Sequence, residues 1–343
     1  MVYSRRLLVL VALLALLALA ACGQSSTGGA AATAVPQATQ APQPTAAAEA
    51  TAAPQPTAAA EATAAPAATA APAATAAPEA TAAPAAGGGE DLLADVKKRG
   101  KLMIATDANY KPQSFKNPDG SFEGFDVDVG KEVAKRLGVE AEFIDVNFDT
   151  ITAGGWNGRW DINVGSMTIT PDRKKALYFS SPYYYTPASF VVHKDSKAAS
   201  IDDLKGKKVG VGAATTYLDY LQGKLTLEGE KILRPAPEGV DAKIYDTDQL
   251  ALTDLALGDG TRLDAVLTAL PTTEDSIKGG QPFKILGDPV YYEDLGIALD
   301  QKSPKDSKGL ADAITKIVDE MHKDGTLTKL ASKYYSSDLT TKK

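Results

Sequence analysis

The sequence predicts an α/β fold in two lobes for residues 90–343, and three observations predict it. Short β-branched runs alternate with helical stripes, the rhythm of βαβ units, which favours open, mostly parallel sheets. A stretch of about 250 residues is long enough for two small cores. Everything before Glu90 has another composition, an apolar leader followed by Ala/Pro/Thr repeat, so the foldable part is sharply set off.

Taken in order, residues 102–105, 142–146, 160–164, 189–192, 208–211, 264–267, 284–286 and 295–299 read as buried strands. Phe125, Val129, Val133 and Leu137 fall four apart before Gly138, which gives an apolar stripe with its stop signal and marks the first crossover helix. Leu310, Ile314, Ile317, Val318 and Met321 form a second stripe. Leu327, Leu330 and Tyr334 form a third after the Asp324-Gly325 break, so helices close the chain.

The leader has Arg5 and Arg6 before an apolar run at positions 7–21. That run is shorter than the roughly 20 residues a membrane-spanning helix needs, so 1–21 reads as an export signal. Leu19-Ala20-Ala21-Cys22 resembles the lipobox of bacterial lipoproteins, which implies a diacylglyceryl thioether on Cys22. From Cys22 to residue 89 the chain repeats openly: APQPTAAAEATA at 41–52 recurs unchanged at 53–64. Its prolines break the helix alanine would favour and it lacks apolar bulk for a core, so it is expected to be a disordered tether.

Composition excludes several functions. Cys22 is the only cysteine, so no intrachain disulfide or thiolate metal site is expected. The only histidines are His193 and His322, a poor supply for histidine catalysis or metal binding. A net charge of −7 argues against a nucleic-acid surface. No metal and no cofactor are expected.

In open α/β sheets ligands sit where strand C-termini meet helix N-termini, so the loops after the strands are the places to search. Three stand out: Thr106 to Tyr110 after the first strand, followed by Gly124 to Asp128; Gly165 to Arg173; and Gly210 to Thr216. Thr170-Pro171 reads as an N-cap followed by an N1 proline, which puts Arg173 in the first turn of a helix, where a cation opposes the macrodipole by about 0.3 to 1 kcal/mol. There it can turn toward the hydroxyls of Ser166 and Thr168 and offer a planar fork to a carboxylate. A surface ion pair is the alternative on local grounds. Thr215 and Thr216 begin a helix whose amides favour an anion, with plain N-capping as the alternative.

Five strings in order carry a wider resemblance: GKLMIATDANYKP, DGSFEGFDVDVGKEVAKRLG, WDINVGSMTITPDRKKALYFSSPYY, IDDLKGKKVGVGAATT and MHKDGTLTKLASKYY. Together they resemble the family 3 extracellular solute-binding proteins, the polar amino-acid receptors of ABC importers. The resemblance implies a type II periplasmic-binding-protein fold, in which two lobes joined by two hinge segments enclose the ligand. The hinges would fall near 185–188 and 290–297, with lobe 1 at 90–187 and 291–343 and lobe 2 at 188–290.

Position by position, the resemblance makes Arg173 the carboxylate-binding residue. Ser166, Thr168, Thr215 and Thr216 become hydroxyl or amide donors around the ligand, Tyr110 and Phe148 its aromatic walls, and Asp107 the acid near its distal end. Tyr110 and Phe148 also suit plain core packing, while Trp156 and Trp160 read as packing alone. One departure matters: the family often has an aspartate for the ligand's α-ammonium where this chain has Ala269. An unpaired buried ammonium costs several kcal/mol, so another group must supply the charge, Asp107 or Glu274, or the ligand is not an ordinary α-amino acid.

The function expected from this resemblance is that of a lipid-anchored, extracytoplasmic receptor that captures a small amino acid or related carboxylate. It would deliver the ligand to an ABC permease and its ATPase, act as a monomer, and perform no chemistry. A sensory module reporting to a separate receptor is one alternative. An enzyme resembling cyclohexadienyl dehydratase on the same fold is the other.

Overall fold

The computed structural model describes residues 90–342; the leader, Cys22 and the repeat lie outside the described residues. Helix α1 (Leu92–Arg99) opens on Asp91, whose carboxylate accepts the Leu93 amide, and closes on Gly100 in the left-handed region. Strand β1 (Lys101–Thr106) follows, then a small antiparallel sheet of β2 (Asn109–Tyr110), β3 (Ser114–Lys116) and β4 (Phe122–Glu123). Helix α2 (Phe125–Leu137) carries the expected stripe into the core and ends on Gly138 at φ 79°.

The remaining elements are β5 (Glu140–Asp145), α3 (Phe148–Thr152), β6 (Ile162–Thr168), β7 (Leu177–Phe179), β8 (Tyr184–His193), β9 (Lys208–Gly212) and α4 (Thr216–Leu221). After them come β10 (Asp241–Tyr245), α5 (Asp248–Leu255), β11 (Ala265–Ala269), α6 (Leu270–Lys278), β12 (Phe283–Asp300), α7 (Lys308–Lys323) and α8 (Thr326–Ala331). One mixed sheet runs in the order β10-β9-β11-β8-β12-β6-β1-β5, with β7 against β12.

The sheet corrects the expectation of mostly parallel pairing. Its wings are parallel, β10 with β9 and β11 on one side, β6 with β1 and β5 on the other. Its centre is antiparallel, because β8 and β12 run against each other and against β11 and β6. The two runs at 284–286 and 295–299, expected as separate strands, belong to the single 18-residue β12, whose register shifts between Leu286 and Tyr291. The expected buried strand at 142–146 is the sheet's outermost strand, β5, and much of it is exposed.

Two main core groups and two smaller clusters result among the described residues. Tyr184, Leu295, Ile297 and Leu299 pack with α2, α7 and α8, whose stripe residues Leu310, Ile314, Val318 and Met321 are all buried. Further along the same two central strands, Ala188, Phe190, Leu286 and Tyr291 pack with β9, β11 and α4. Strands β8 and β12 therefore pass from one core into the other. Trp156 and Trp160 sit buried in a satellite cluster, packing as the sequence suggests.

Gly124 fixes the entry of α2. Its φ of 127° is open mainly to glycine, and a Cβ there would overlap the Gln113 carbonyl and lie 2.6 Å from its carbon. Gly124→Ala is expected to cost about 2 to 3 kcal/mol through strain and overpacking, read as a lower midpoint in denaturant. An unchanged midpoint would show that the turn relaxes freely.

Candidate functional site

All eight residues singled out in the folded part line one cavity. Asp107 follows β1, Tyr110 lies on β2 and Phe148 opens α3, Ser166 and Thr168 come from the end of β6, Arg173 from the turn beyond it, and Thr215 and Thr216 from the start of α4. The space measures about 540 Å³ with its open mouth, within the range of small-molecule sites.

Arg173 does not lie in an α-helix. Residues Arg173–Lys175 form a three-residue 3-10 turn, because β7 begins at Leu177 and leaves no room for more. The expected macrodipole penalty therefore has no helix to arise from. The Thr170 hydroxyl accepts the Arg173 amide at 3.2 Å, so the capping residue is the expected one although the helix is missing. Nor does the guanidinium reach for the hydroxyls of Ser166 and Thr168: Nη1 donates to the Thr168 carbonyl at 2.9 Å and Nη2 to the Ala214 carbonyl at 2.9 Å. Its carbon stands 5.5 Å from the centre of the Phe148 ring. Burial draws its pKa down from the ordinary value, and the Glu293 carboxylate opposes that shift.

The hydroxyls are engaged as well. Ser166, with a left-handed φ of 53°, donates its Oγ to Asp126 at 2.7 Å and pairs with the Tyr184 hydroxyl. Tyr183 donates to the other Asp126 oxygen at 2.7 Å and accepts the Ser166 amide at 2.9 Å. Asp126 thus sits under the cavity floor, fully buried, and burial pushes its carboxyl up to about 7 against those hydrogen bonds. Thr215 is the N-cap of α4: its Oγ1 donates to the Gly212 carbonyl at 2.8 Å and accepts the Leu218 amide at 3.3 Å.

Glu293 is the residue that the reading of the sequence missed. It lies on β12, is 1% exposed and lines the cavity. Thr168 Oγ1 donates to its Oε1 at 2.6 Å, and Thr216 Oγ1 donates to the same oxygen. Tyr217 donates to Oε2 at 2.9 Å, with Thr186 at 3.4 Å. The Tyr217 hydroxyl also meets that of Tyr110 at 3.2 Å, so the wall expected from Tyr110 alone is a tyrosine pair. The only local signal for Glu293 was an acid inside the apolar run that crosses between the two cores.

Of the two acids proposed for the missing charge at Ala269, one is displaced. Glu274 lies outside the cavity and accepts from Ser336 at 3.3 Å, because α6 carries it toward the C-terminal segment. Asp107 does line the cavity, accepting the Asn109 amide at 2.9 Å, and burial raises its pKa. Asp248 joins it, buried at the start of α5, where its carboxylate accepts from the Gly212 amide at 2.8 Å and from Thr268 at 2.6 Å. Burial raises the Asp248 carboxyl to about 6. Ala269 itself is buried at the start of α6 and does not line the space. Among the described residues no group of three potential metal ligands occurs, and no helix is long and apolar enough to cross a membrane.

A cavity with one guanidinium among hydroxyls, aromatic rings and carboxylates, enclosed where two α/β lobes share a mixed sheet, defines a binding protein for a small polar solute. The chain belongs to the bacterial extracellular solute-binding proteins, family 3, which it matches over residues 102–337. It is 35% identical over 254 residues to the L-cystine-binding protein TcyJ of Escherichia coli K12, covering 73% of this chain and 88% of that one. An ancestral arginine-binding protein bound to arginine is similar at a TM-score of 0.59 and 33% identity, over 69% of this chain and 99% of that one. An ancestral amino acid-binding protein described as a precursor of cyclohexadienyl dehydratase is similar at a TM-score of 0.60 and 32% identity, over 71% and 99%.

Proposed function

We propose that the protein is the extracytoplasmic receptor of an ABC importer, anchored by a lipid on Cys22, that captures an amino acid between lobe 1 (90–187 and 291–343) and lobe 2 (188–290). The observation that carries this reading is Arg173. Its guanidinium stands in the cavity over Phe148, held by the carbonyls of Thr168 at the end of β6 and Ala214 in the loop after β9, with N–H groups left for a ligand carboxylate. The solute-binding family and the amino-acid ligands in its relatives' names support the same reading. Closure of the lobes on ligand then supplies the signal to the permease by a shift of population, without chemistry.

The likeness to a precursor of a dehydratase keeps the enzyme alternative open to one specific check, because Asp248, raised to about 6, is a carboxyl able to exchange a proton near neutral pH, as an eliminating enzyme needs. Its two oxygens accept from the Gly212 amide and the Thr268 hydroxyl. Titration of the full chain with the common L-amino acids and L-cystine tests the binding reading. Saturable binding with the amino acid recovered unchanged is expected. Failure to bind any of them, or turnover of a cyclohexadienyl acid, would overturn it.

The anchor has its own test. Cys22→Ser is expected to abolish incorporation of a labelled fatty acid, because a serine oxygen cannot replace the thiolate in forming the thioether. Label retained in that variant would remove the anchor from the proposal.

A further inference from the structure

We infer that Glu293 is the counter-charge for the ligand's α-ammonium, so that the cavity selects free α-amino acids over plain carboxylates; this rests on the amino-acid reading proposed above. Glu293 is almost wholly buried, and every partner it has is a neutral hydroxyl: Thr168, Thr216, Tyr217 and, at 3.4 Å, Thr186. Among the described residues no lysine, arginine or histidine forms an ion pair with it. Arg173 acts on it through space but makes no contact with it, so this is a buried carboxylate that four hydroxyls orient and no cation touches, a site prepared for a cation from outside.

Its placement relative to Arg173 gives the chemical class. Both residues hold Thr168, Arg173 by the carbonyl at 2.9 Å and Glu293 by the hydroxyl at 2.6 Å. A fixed positive and a fixed negative group therefore face the cavity across the width of one residue. The carboxylate and ammonium of an α-amino acid are separated by a single carbon, and a positive and a negative group that share Thr168 match them in sign.

The sheet register explains how Glu293 relates to Ala269. Ala269 pairs with Ala188, Ala188 pairs with Tyr291, and Thr186 pairs with Glu293 one row further along. Residues two apart on a strand share a face, so Ala269 and Glu293 project from the same side of the sheet in neighbouring rows. Strand β8 lies between β11 and β12, so the two positions stand two strands and one row apart, and only Glu293 lines the cavity.

The experiment compares binding of an amino acid with that of its des-amino acid, which keeps the carboxylate and side chain and lacks only the ammonium. The full chain is titrated with the common L-amino acids and L-cystine, and the tightest binder is paired with its des-amino counterpart. The wild type is expected to prefer the amino acid by about 30- to 300-fold. Glu293→Gln should reduce that preference to about threefold or less with little change in affinity for the des-amino acid. If Glu293→Gln does not fold, Thr216→Val, which removes one orienting hydroxyl, should cut the preference by about tenfold. A preference that survives Glu293→Gln, or one unmoved by Thr216→Val, overturns the inference. Equal wild-type affinity for both compounds overturns it while leaving a carboxylate receptor standing, and binding of neither overturns the amino-acid reading along with it.

Discussion

Arg173→Ala is expected to weaken ligand binding by about 2 to 5 kcal/mol, roughly 30- to 5,000-fold, the cost of leaving a buried carboxylate without its charged donor. Arg173→Lys should recover only part. An ammonium restores charge, yet it lacks the planar fork that can hold the carbonyls of Thr168 and Ala214 and still face a ligand. The two bonds also tie the loop after β6 to the loop after β9. The alanine variant is therefore expected to lose some stability even without ligand, the opposite of what a cation opposing a helix dipole would give. Calorimetry with the tightest amino acid reads the first effect, and a thermal melt of the ligand-free chain reads the second. Near-normal affinity in both variants would place the carboxylate elsewhere.

The contrast between Arg173 and Glu293 shows what a linear sequence reveals. Arg173 is legible because Thr170-Pro171 is a local signal and the chain around it resembles a known family, although the same signal wrongly promised a helix. The helix fails for a reason local propensity does not contain: β7 must start at Leu177 to pair with β12. Glu293 has no local signal of comparable strength. Its role appears only when Thr168, Thr216 and Tyr217, distant in sequence, turn their hydroxyls onto one carboxylate.

The fold divides along the same line. Helices α2 and α7 were legible because their stripes repeat with the helical period and both pack against one core. Strand β12 was broken in two because Gly287-Asp288-Pro289 is turn chemistry, and the structure uses it as an irregularity within a continuous strand. The antiparallel centre follows from that unbroken strand: β8 and β12 must run side by side to pass between both cores, and the βαβ rhythm of the wings carries no trace of it.

The last expectation concerns Asp126, the carboxyl beneath the cavity floor. Burial raises it from 3.8 to about 7, so between those values the folded chain holds a proton that the unfolded chain has lost. Stability must therefore fall as pH rises through this window; the contribution is complete below about pH 4 and gone above about pH 7. At about 1.4 kcal/mol for each pH unit, the single group accounts for about 4 kcal/mol. Asp126→Asn removes the titration and keeps the geometry, because the amide oxygen accepts from Tyr183 while the amide nitrogen donates to Ser166 Oγ, whose own proton turns to Tyr184. Relative to the wild type, the asparagine variant should gain on the order of 4 kcal/mol between pH 4 and pH 8, whatever its fixed cost at the lower end. Unfolding of the ligand-free full chain in denaturant across that range measures the difference. A difference that stays flat would mean that Asp126 is ionised in the folded state at every pH tested, and the floor of the cavity would then carry a negative charge into the site above it.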